Sequence, residues 1–250
     1  MTETTLTLAG ARPLTQDVWE LAFSGDTEAF SRPGQFVNLA LPGRFLRRPI
    51  SVASCTGDGL LLLVRVAGAG TAELVSSPVG TRFDALTGLG NGFDPAESGA
   101  HPVLIGGGIG IAPLYGLARK MAGRGVRPAV VLGFRNQNDA FYIEEFALLG
   151  CQVFVATEDG SLGVKGLVTD CAARFLPEAD YVFACGPTPM LEAVYALPQL
   201  KGGQFSFEAR MACGFGACVG CTIETANGPR RVCKDGPVFR KEEIVWETSA

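Results

Sequence analysis

The hydrophobic rhythm of this chain changes near residue 99. Before it, apolar and polar residues alternate in short runs: Thr5–Leu8 pairs threonine with leucine, and Trp19, Leu21 and Phe23, then Val37, Leu39 and Leu41, repeat with a period of two. Residues 59–66 form a longer apolar run. Turn-forming groups separate these runs (Pro33-Gly34, Pro42-Gly43, Gly57-Asp58-Gly59). Short strands at this spacing predict a closed antiparallel β-barrel over 1–99. From residue 100 the runs become uniformly apolar: Val103–Ile105, Ala129–Phe134, Val153–Thr157 and Tyr181–Ala184. Strands buried on both faces look like this. Helices are expected between them, over 113–123, 141–149, 169–175 and 189–197, with Pro113 and Pro189 in first turns, where a missing N–H costs nothing. The alternation predicts a parallel-sheet α/β domain over 100–206. A glycine- and cysteine-rich stretch, 207–250, forms a third small module. The expected fold class is thus a multi-domain α+β chain: antiparallel β-barrel, α/β parallel-sheet domain and C-terminal cysteine module.

Composition narrows the chemistry. The chain has 250 residues, 47% of them hydrophobic and 18% charged, with a net charge of −4. That balance gives no reason to expect nucleic acid or a membrane surface as partner. No uncharged apolar run reaches spanning length, and Met1-Thr2-Glu3-Thr4 lacks a signal-peptide layout. Eight cysteines without such a signal point to a reducing, cytoplasmic setting and to metal or redox work for some of them. Cys55, Cys151 and Cys171 are expected to fill packed regions. The single histidine, His101, removes Ser-His-Asp and Cys-His catalysis and histidine metal clusters, and its place before Pro102 predicts solvent exposure. Hydride transfer between carriers meets the remaining condition, because the cofactor performs the chemistry; no catalytic acid or base is assigned.

Four cysteines carry the sharpest signal. Cys213, Cys218, Cys221 and Cys233 read C-x4-C-x2-C, then eleven residues, then C. The first run is the spacing of plant-type [2Fe–2S] ferredoxins. A four-cysteine zinc site, which usually shows two C-x2-C knuckles where this chain has one, and a pair of disulfides are the alternatives. Upstream, Gly106-Gly107-Gly108-Ile109-Gly110 follows a strand and opens a helix, as a phosphate-binding turn does, although Ala112-Pro113 stands where the dinucleotide fingerprint has its last glycine. Cys185-Gly186-Pro187 ends another parallel strand, where ligands bind; without histidine, Cys185 is expected to line a pocket. In the barrel, Arg48-Pro49-Ile50-Ser51 offers a guanidinium fork and a hydroxyl, and Gly68–Thr71 offers backbone N–H groups to a pyrophosphate. A tight turn, a buried cysteine and a basic strand edge are the plainer readings of these segments.

Together these segments resemble the ferredoxin reductase superfamily over essentially the whole chain. Its R-x-Y-S motif is similar to Arg48–Ser51, with Ile50 in place of Tyr; its G-x-G-I-A-P loop is similar to Gly108–Pro113, and its C-G-P motif to Cys185–Pro187. Within it, Arg47–Ser51, Gly133-Phe134-Arg135, Cys185–Met190, Glu208–Cys218 and Val232–Phe239 most resemble the electron-transfer subunits of NAD-linked (class 1B) dihydroorotate dehydrogenases. The resemblance implies FAD on Arg48, Pro49, Ile50, Ser51, Leu63, Val64, Arg65, Gly70 and Thr71. It implies NAD on Gly107, Gly108, Gly110, Cys185, Gly186 and Pro187, and a [2Fe–2S] cluster on Cys213, Cys218, Cys221 and Cys233. Val64 stands where relatives often have Tyr, so no ring is expected to stack there. Glu158 and Asp159 follow a strand where a carboxylate can receive ribose hydroxyls.

The implied function is electron transfer in pyrimidine biosynthesis. Electrons pass from an FMN-containing dihydroorotate dehydrogenase catalytic subunit, in a heterotetramer of two plus two, through the cluster and FAD to NAD⁺. Glu208, Arg210, Arg230, Arg231 and Lys234 are expected to rim the docking face. Rival readings are the reductase subunit of a ferredoxin:NADP oxidoreductase, sulfhydrogenase or glutamate synthase, and a cluster-based redox sensor without turnover.

Overall fold

The computed structural model describes residues 1–246. Six strands close a barrel: β1 (Thr2–Pro13), β2 (Val18–Ser24), β3 (Phe36–Leu39), β4 (Arg48–Thr56), β5 (Gly59–Arg65) and, after the helix α1 (Ala69–Val75), β6 (Arg82–Leu89). The order round the barrel is β1-β2-β5-β4-β3-β6, and every pairing is antiparallel. Leu6, Leu8, Leu21, Phe23, Val37, Leu39, Leu62 and Phe83 point inward and fill it. The alternation therefore finds the interior face correctly. It marks neither β6 nor α1, whose glycine-rich start reads as a plain turn.

The second unit alternates β7 (Pro102–Gly107), α2 (Ile111–Ala122), β8 (Ala129–Phe134), α3 (Ile143–Leu148), β9 (Gln152–Thr157), β10 (Val164–Lys165), α4 (Val168–Ala172), β11 (Tyr181–Cys185), α5 (Thr188–Tyr195) and β12 (Gly203–Ser206). These strands pair in parallel in the order β10-β9-β8-β7-β11-β12. Their carboxyl ends carry the Gly106–Gly110 and Cys185–Pro187 loops side by side. His101 is exposed.

The tail is stitched to both units. A small hairpin, β13 (Thr222–Ile223) with β14 (Arg230–Arg231), precedes β15 (Val238–Arg240), which pairs antiparallel with β12 at the edge of the large sheet. Cys221, Val232, Cys233 and Phe239 share a core with Phe36 and Leu89 of the barrel and Ala184, Leu191 and Phe205 of the sheet. This explains β3, whose four residues are all buried: Val37 and Leu39 face the barrel interior, and the tail covers Phe36 and Asn38.

The barrel and the sheet meet along α2 and β4. Gly116 permits that approach, since a Cβ there would lie 2.8 Å from the Ala53 carbonyl oxygen. The Tyr142 hydroxyl donates to Glu20 at 2.6 Å, and the Arg12 guanidinium donates to both oxygens of the same carboxylate at 2.6 and 2.7 Å. Burial opposes the charge on Glu20, but these donors outweigh it and hold its pKa below the ordinary value. Cys151 and Cys171 are buried as expected, whereas Cys55, toward the end of β4, is exposed.

Candidate functional site

Three walls meet in one cleft of about 270 Å3. The barrel supplies Pro49, Ile50 and Ser51 from β4 and Leu63, Val64 and Arg65 from β5. The sheet supplies Gly110, Pro113, Cys185 and Ser206, and the tail supplies Phe207, Glu208, Ala209, Met211 and Pro237. Val64 is 1% exposed and its side chain belongs to the barrel core, so it is not positioned to stack on a ring in the cleft. Burial, with the nearby Glu208 carboxylate adding to it, pushes the Cys185 thiol up to about 12. It is therefore neutral near pH 7, a packing wall rather than a nucleophile. Glu208 opens onto this cleft, where desolvation raises its carboxyl against the pull of Arg65. Arg231 turns inward: its guanidinium donates to the Gly216 carbonyl at 2.6 Å and lies 3.4 Å from Asp235. Arg231 thus braces the cysteine loop, while Glu208 is exposed and borders the cleft.

A second cleft, of about 390 Å3, lies over the ends of the parallel strands. Gly107, Gly108, Pro187, Arg135, Glu158 and Arg65 line it. Arg65 thus borders both clefts, and its Nε is buried without a hydrogen-bond partner. The Asp17 carboxylate lies 3.5 Å from that Nε, an ion pair rather than a hydrogen bond, so an anionic or carbonyl-bearing ligand can supply a closer acceptor. Glu158 is placed to receive hydroxyls. Asp159 does not line the cleft, and one of its carboxylate oxygens accepts from the Ser161 N–H at 2.9 Å and hydroxyl at 2.6 Å.

Arg48, Gly70 and Thr71 form a separate group beside the first cleft. The Arg48 guanidinium lies where a Cβ on Gly70 would sit, and it is fixed by donating to the Leu46 carbonyl at 2.6 Å. Thr71 uses its hydroxyl to cap the start of α1, accepting from the Ala67 N–H at 2.9 Å. A fixed guanidinium over the unpaired N–H groups at the start of α1 is a cradle suited to a diphosphate. Gly186 lines neither cleft, but it lets Met190 pack beneath the loop.

The four tail cysteines gather as two pairs. The Sγ atoms of Cys213 and Cys218 are 3.3 Å apart, and the Cys233 N–H points to the Cys221 sulfur at 3.4 Å. All eight cysteines are free thiols. Among the described residues no group of three or more histidine, cysteine or carboxylate side chains converges on one metal-ion position. Two thiolates for each of two irons is what a [2Fe–2S] cluster requires, and the chemistry of the donor set fits that group. Burial opposes ionisation of Cys213, but N–H groups of Cys218, Phe215 and Gly216 outweigh it and bring its pKa down to about 6. Burial and the neighbouring Cys221 push Cys233 up to about 12.

Periodicity alone missed Asn38. This residue of β3 is 1% exposed, and its Nδ2 donates to the Cys213 carbonyl at 3.0 Å. It is the barrel's hydrogen bond to the cysteine loop. Gly214 makes the approach possible: its φ is +75°, and an added Cβ would collide with the Asn38 amide. A polar residue in a strand whose neighbours are all apolar was the available signal. Asn38→Ala is expected to loosen the loop by about 1–2 kcal/mol, the cost of losing a buried hydrogen bond. Cluster loss on exposure to chelator, followed by absorbance, checks this; the yellow chromophore should be retained in full.

Comparisons with known proteins follow this geometry. Residues 208–245 match the iron–sulfur cluster binding domain of dihydroorotate dehydrogenase B, and residues 104–196 match an oxidoreductase NAD-binding domain. The dihydroorotate dehydrogenase B (NAD⁺) electron transfer subunit of Shouchella clausii is 40% identical, over 96% of this chain and 97% of its own length. That of Listeria monocytogenes serotype 4a is 42% identical, over 98% and 99%. The chain belongs to the dihydroorotate dehydrogenase B electron transfer subunit family. Among solved structures, the family fold is shared by an NADH-dependent reduced ferredoxin–NADP oxidoreductase studied for flavin-based electron bifurcation. It is 29% identical with a TM-score of 0.86, covering 97% of this chain and 90% of that one. A cytochrome P450 reductase of Amycolatopsis, at 24% identity and TM-score 0.70, shows the fold alone. Like the family model, the structure puts the cysteine loop in the tail, against the wall of the first cleft. Among the described residues no helix is long and apolar enough to cross a membrane.

Proposed function

We propose that this chain carries electrons, delivered by a catalytic partner subunit that oxidises dihydroorotate, through a [2Fe–2S] cluster and FAD to NAD⁺. The observation that carries this reading is the first cleft, walled at once by the barrel, by the strand ends that border the nucleotide cleft, and by the tail just ahead of Cys213. FAD, when bound, exchanges electrons singly or in pairs, which is what joining a one-electron cluster to a two-electron nicotinamide requires. The chain's residues do the placing. Pro49, Ile50, Ser51, Leu63, Arg65 and the backbone of Val64 would hold the flavin ring, and Arg48 with the backbone of Gly70 and Thr71 its diphosphate. Gly107, Gly108 and Pro187 would seat NAD, with Glu158 on a ribose, and Gly110 would border the flavin. Cys185 stays protonated and packs where the two clefts adjoin, so it excludes water without competing for the hydride. Cys213 and Cys218 would hold one iron, Cys221 and Cys233 the other, and the N–H groups around Cys213 favour its thiolate.

Phe215 and Val219 stand exposed on the cysteine loop, and Phe45 is wholly exposed on the loop between β3 and β4. Exposed apolar side chains at the cluster end are suited to a fixed protein partner. We read that partner as an FMN-containing subunit in a two-plus-two assembly, working in the cytoplasm, where free thiols persist. Purified from its native cell, the chain should bring down a subunit that forms orotate from dihydroorotate, and the complex should reduce NAD⁺. NADH should bleach both flavin and [2Fe–2S] bands. Co-purification with a ferredoxin-oxidising complex and no orotate formation would move the chain to the rival oxidoreductase; a colourless protein with stoichiometric zinc would end the electron-transfer reading.

A further inference from the structure

A further cleft, of about 320 Å3, opens on the seam between the barrel and α2 and shares no lining residue with the two clefts described above. Three cations line it, Arg32, Arg119 and Lys120, and no carboxylate does, in a chain of net charge −4. Arg32 reaches Asp94 only at 3.5 Å, and among the described residues the ion pairs include neither Arg119 nor Lys120. Neutral groups hold the cations in place instead. The Arg119 guanidinium donates to the hydroxyl of Ser54, which is buried, and the Lys120 ammonium donates to the Ser31 carbonyl at 2.7 Å.

The turn that carries Ser31 and Arg32 is itself braced. Buried Gln35 accepts from the Ser31 N–H at 2.8 Å and the Arg32 N–H at 3.0 Å, and donates to the Gly90 carbonyl at 2.9 Å. Arg119 spends one of its five donors in these bonds and Lys120 one of three. Of these like charges only Arg32 has a carboxylate nearby among the described residues, so they repel, and an anion that takes up the spare donors relieves that repulsion. Two guanidinium forks beside an ammonium suit the three oxygens of a phosphate better than a single carboxylate. The cleft exceeds the room one phosphate needs, and Phe30 and Pro33 give it an apolar wall.

We propose that this cleft is a binding site for an organic phosphomonoester, which bridges the barrel (Ser31, Arg32, Ser54) to helix α2 (Arg119, Lys120). Strand β4 and helix α2 both continue into the flavin cleft, so a ligand here fastens the two elements that set its width. The site is independent of which partner supplies the electrons.

The test uses the holoprotein saturated with NAD⁺, so that the nucleotide cleft is filled. Ribose 5-phosphate, inorganic phosphate and ribose serve as probes, followed by 31P NMR, calorimetry and thermal unfolding. Ribose 5-phosphate should bind one to one and raise the unfolding midpoint, inorganic phosphate should bind more weakly, and ribose should do neither. Lys120→Gln and Arg119→Gln should each weaken binding about tenfold or more, the loss of a charge-assisted hydrogen bond. Arg135→Gln, in the nucleotide cleft, should leave it unchanged. Absence of binding at millimolar ribose 5-phosphate, or equal affinity in wild type and Lys120→Gln, overturns the site. Lys120 is exposed, so that variant folds even if Arg119→Gln does not. Inorganic phosphate binding as tightly as ribose 5-phosphate overturns the organic ligand.

Discussion

Cys218→Ser is expected to abolish electron exchange with the partner subunit while NADH still reduces the flavin at a rate within about twofold of wild type. Cys218 pairs with Cys213 at 3.3 Å, and the same residue's N–H points to the Cys213 sulfur at 3.4 Å. Replacing its thiolate with a hydroxyl would remove one of the two soft ligands proposed for one iron and leave the other proposed pair intact. The two clefts take no lining residue from Cys218, so the nucleotide-to-flavin half of the route keeps its geometry. Stopped-flow bleaching of the flavin band by NADH reads that half; orotate formation by the reconstituted complex reads the other, and the electron paramagnetic signal of the reduced cluster reports its loss. If both halves fell together, the flavin would not lie between nicotinamide and cluster.

Gly110→Ala is expected to lower stability by about 1–3 kcal/mol and to cut the rate of flavin reduction by NADH at least 100-fold, the two effects arising from one methyl group. The backbone of Gly110 has φ −62° and ψ −11°, which any residue adopts, so conformational freedom is not the reason for glycine here. Space is the reason. An added Cβ would stand 2.5 Å from the Cys185 carbonyl oxygen and 2.6 Å from the Gly186 nitrogen. Both are backbone atoms of the neighbouring strand end and cannot swing aside as a side chain does. The loop before α2 must therefore move away from β11, and the clefts on either side, which Gly110, Cys185, Gly108 and Pro187 line, widen together. Denaturant unfolding measures the first effect and single-turnover NADH oxidation the second. Wild-type stability combined with wild-type reduction would show that the two loops do not interlock.

Much of the fold was legible because its signals are local. The parallel strands β7, β8, β9 and β11 follow from runs of β-branched and other apolar residues that are buried on both faces, and Ala129–Phe134 is bounded as the pattern indicates. Helix α2 begins at Ile111, two residues ahead of Pro113, because a 3-10 turn over Gly108–Gly110 feeds directly into it. The elements that escaped are those whose pattern is set by distant contacts. Strand β6 alternates in burial, but a threonine, Thr87, stands at an inward position and a leucine, Leu86, at an outward one. Strand β15 is three residues long and exists because β12 lies beside it.

The site divides in the same way. Spacing alone brought Cys213, Cys218 and Cys221 into one loop, since metal ligands close in sequence need short intervals. The glycine loops likewise announced strand ends that border the second cleft. Arg231 read as a charge of the docking rim, because a sequence does not tell which way a charged side chain turns in so short a strand. Asp159 and Glu158 are adjacent, and only the fold shows that Glu158 lines the second cleft while Asp159 does not.

The amino-acid order therefore determined by itself the kinds of units present, their succession along the chain, and the four thiols that would hold iron, all of which depend on residues near one another in sequence. The tertiary structure alone decided that Asn38 reaches across 175 positions to the Cys213 carbonyl, that Arg65 stands between two clefts, and that three cations share a cleft without a carboxylate. Such juxtapositions arise from the closure of the barrel and the packing of the tail against it, where the partners are chosen by shape and burial over the whole molecule and leave no periodic trace along the chain.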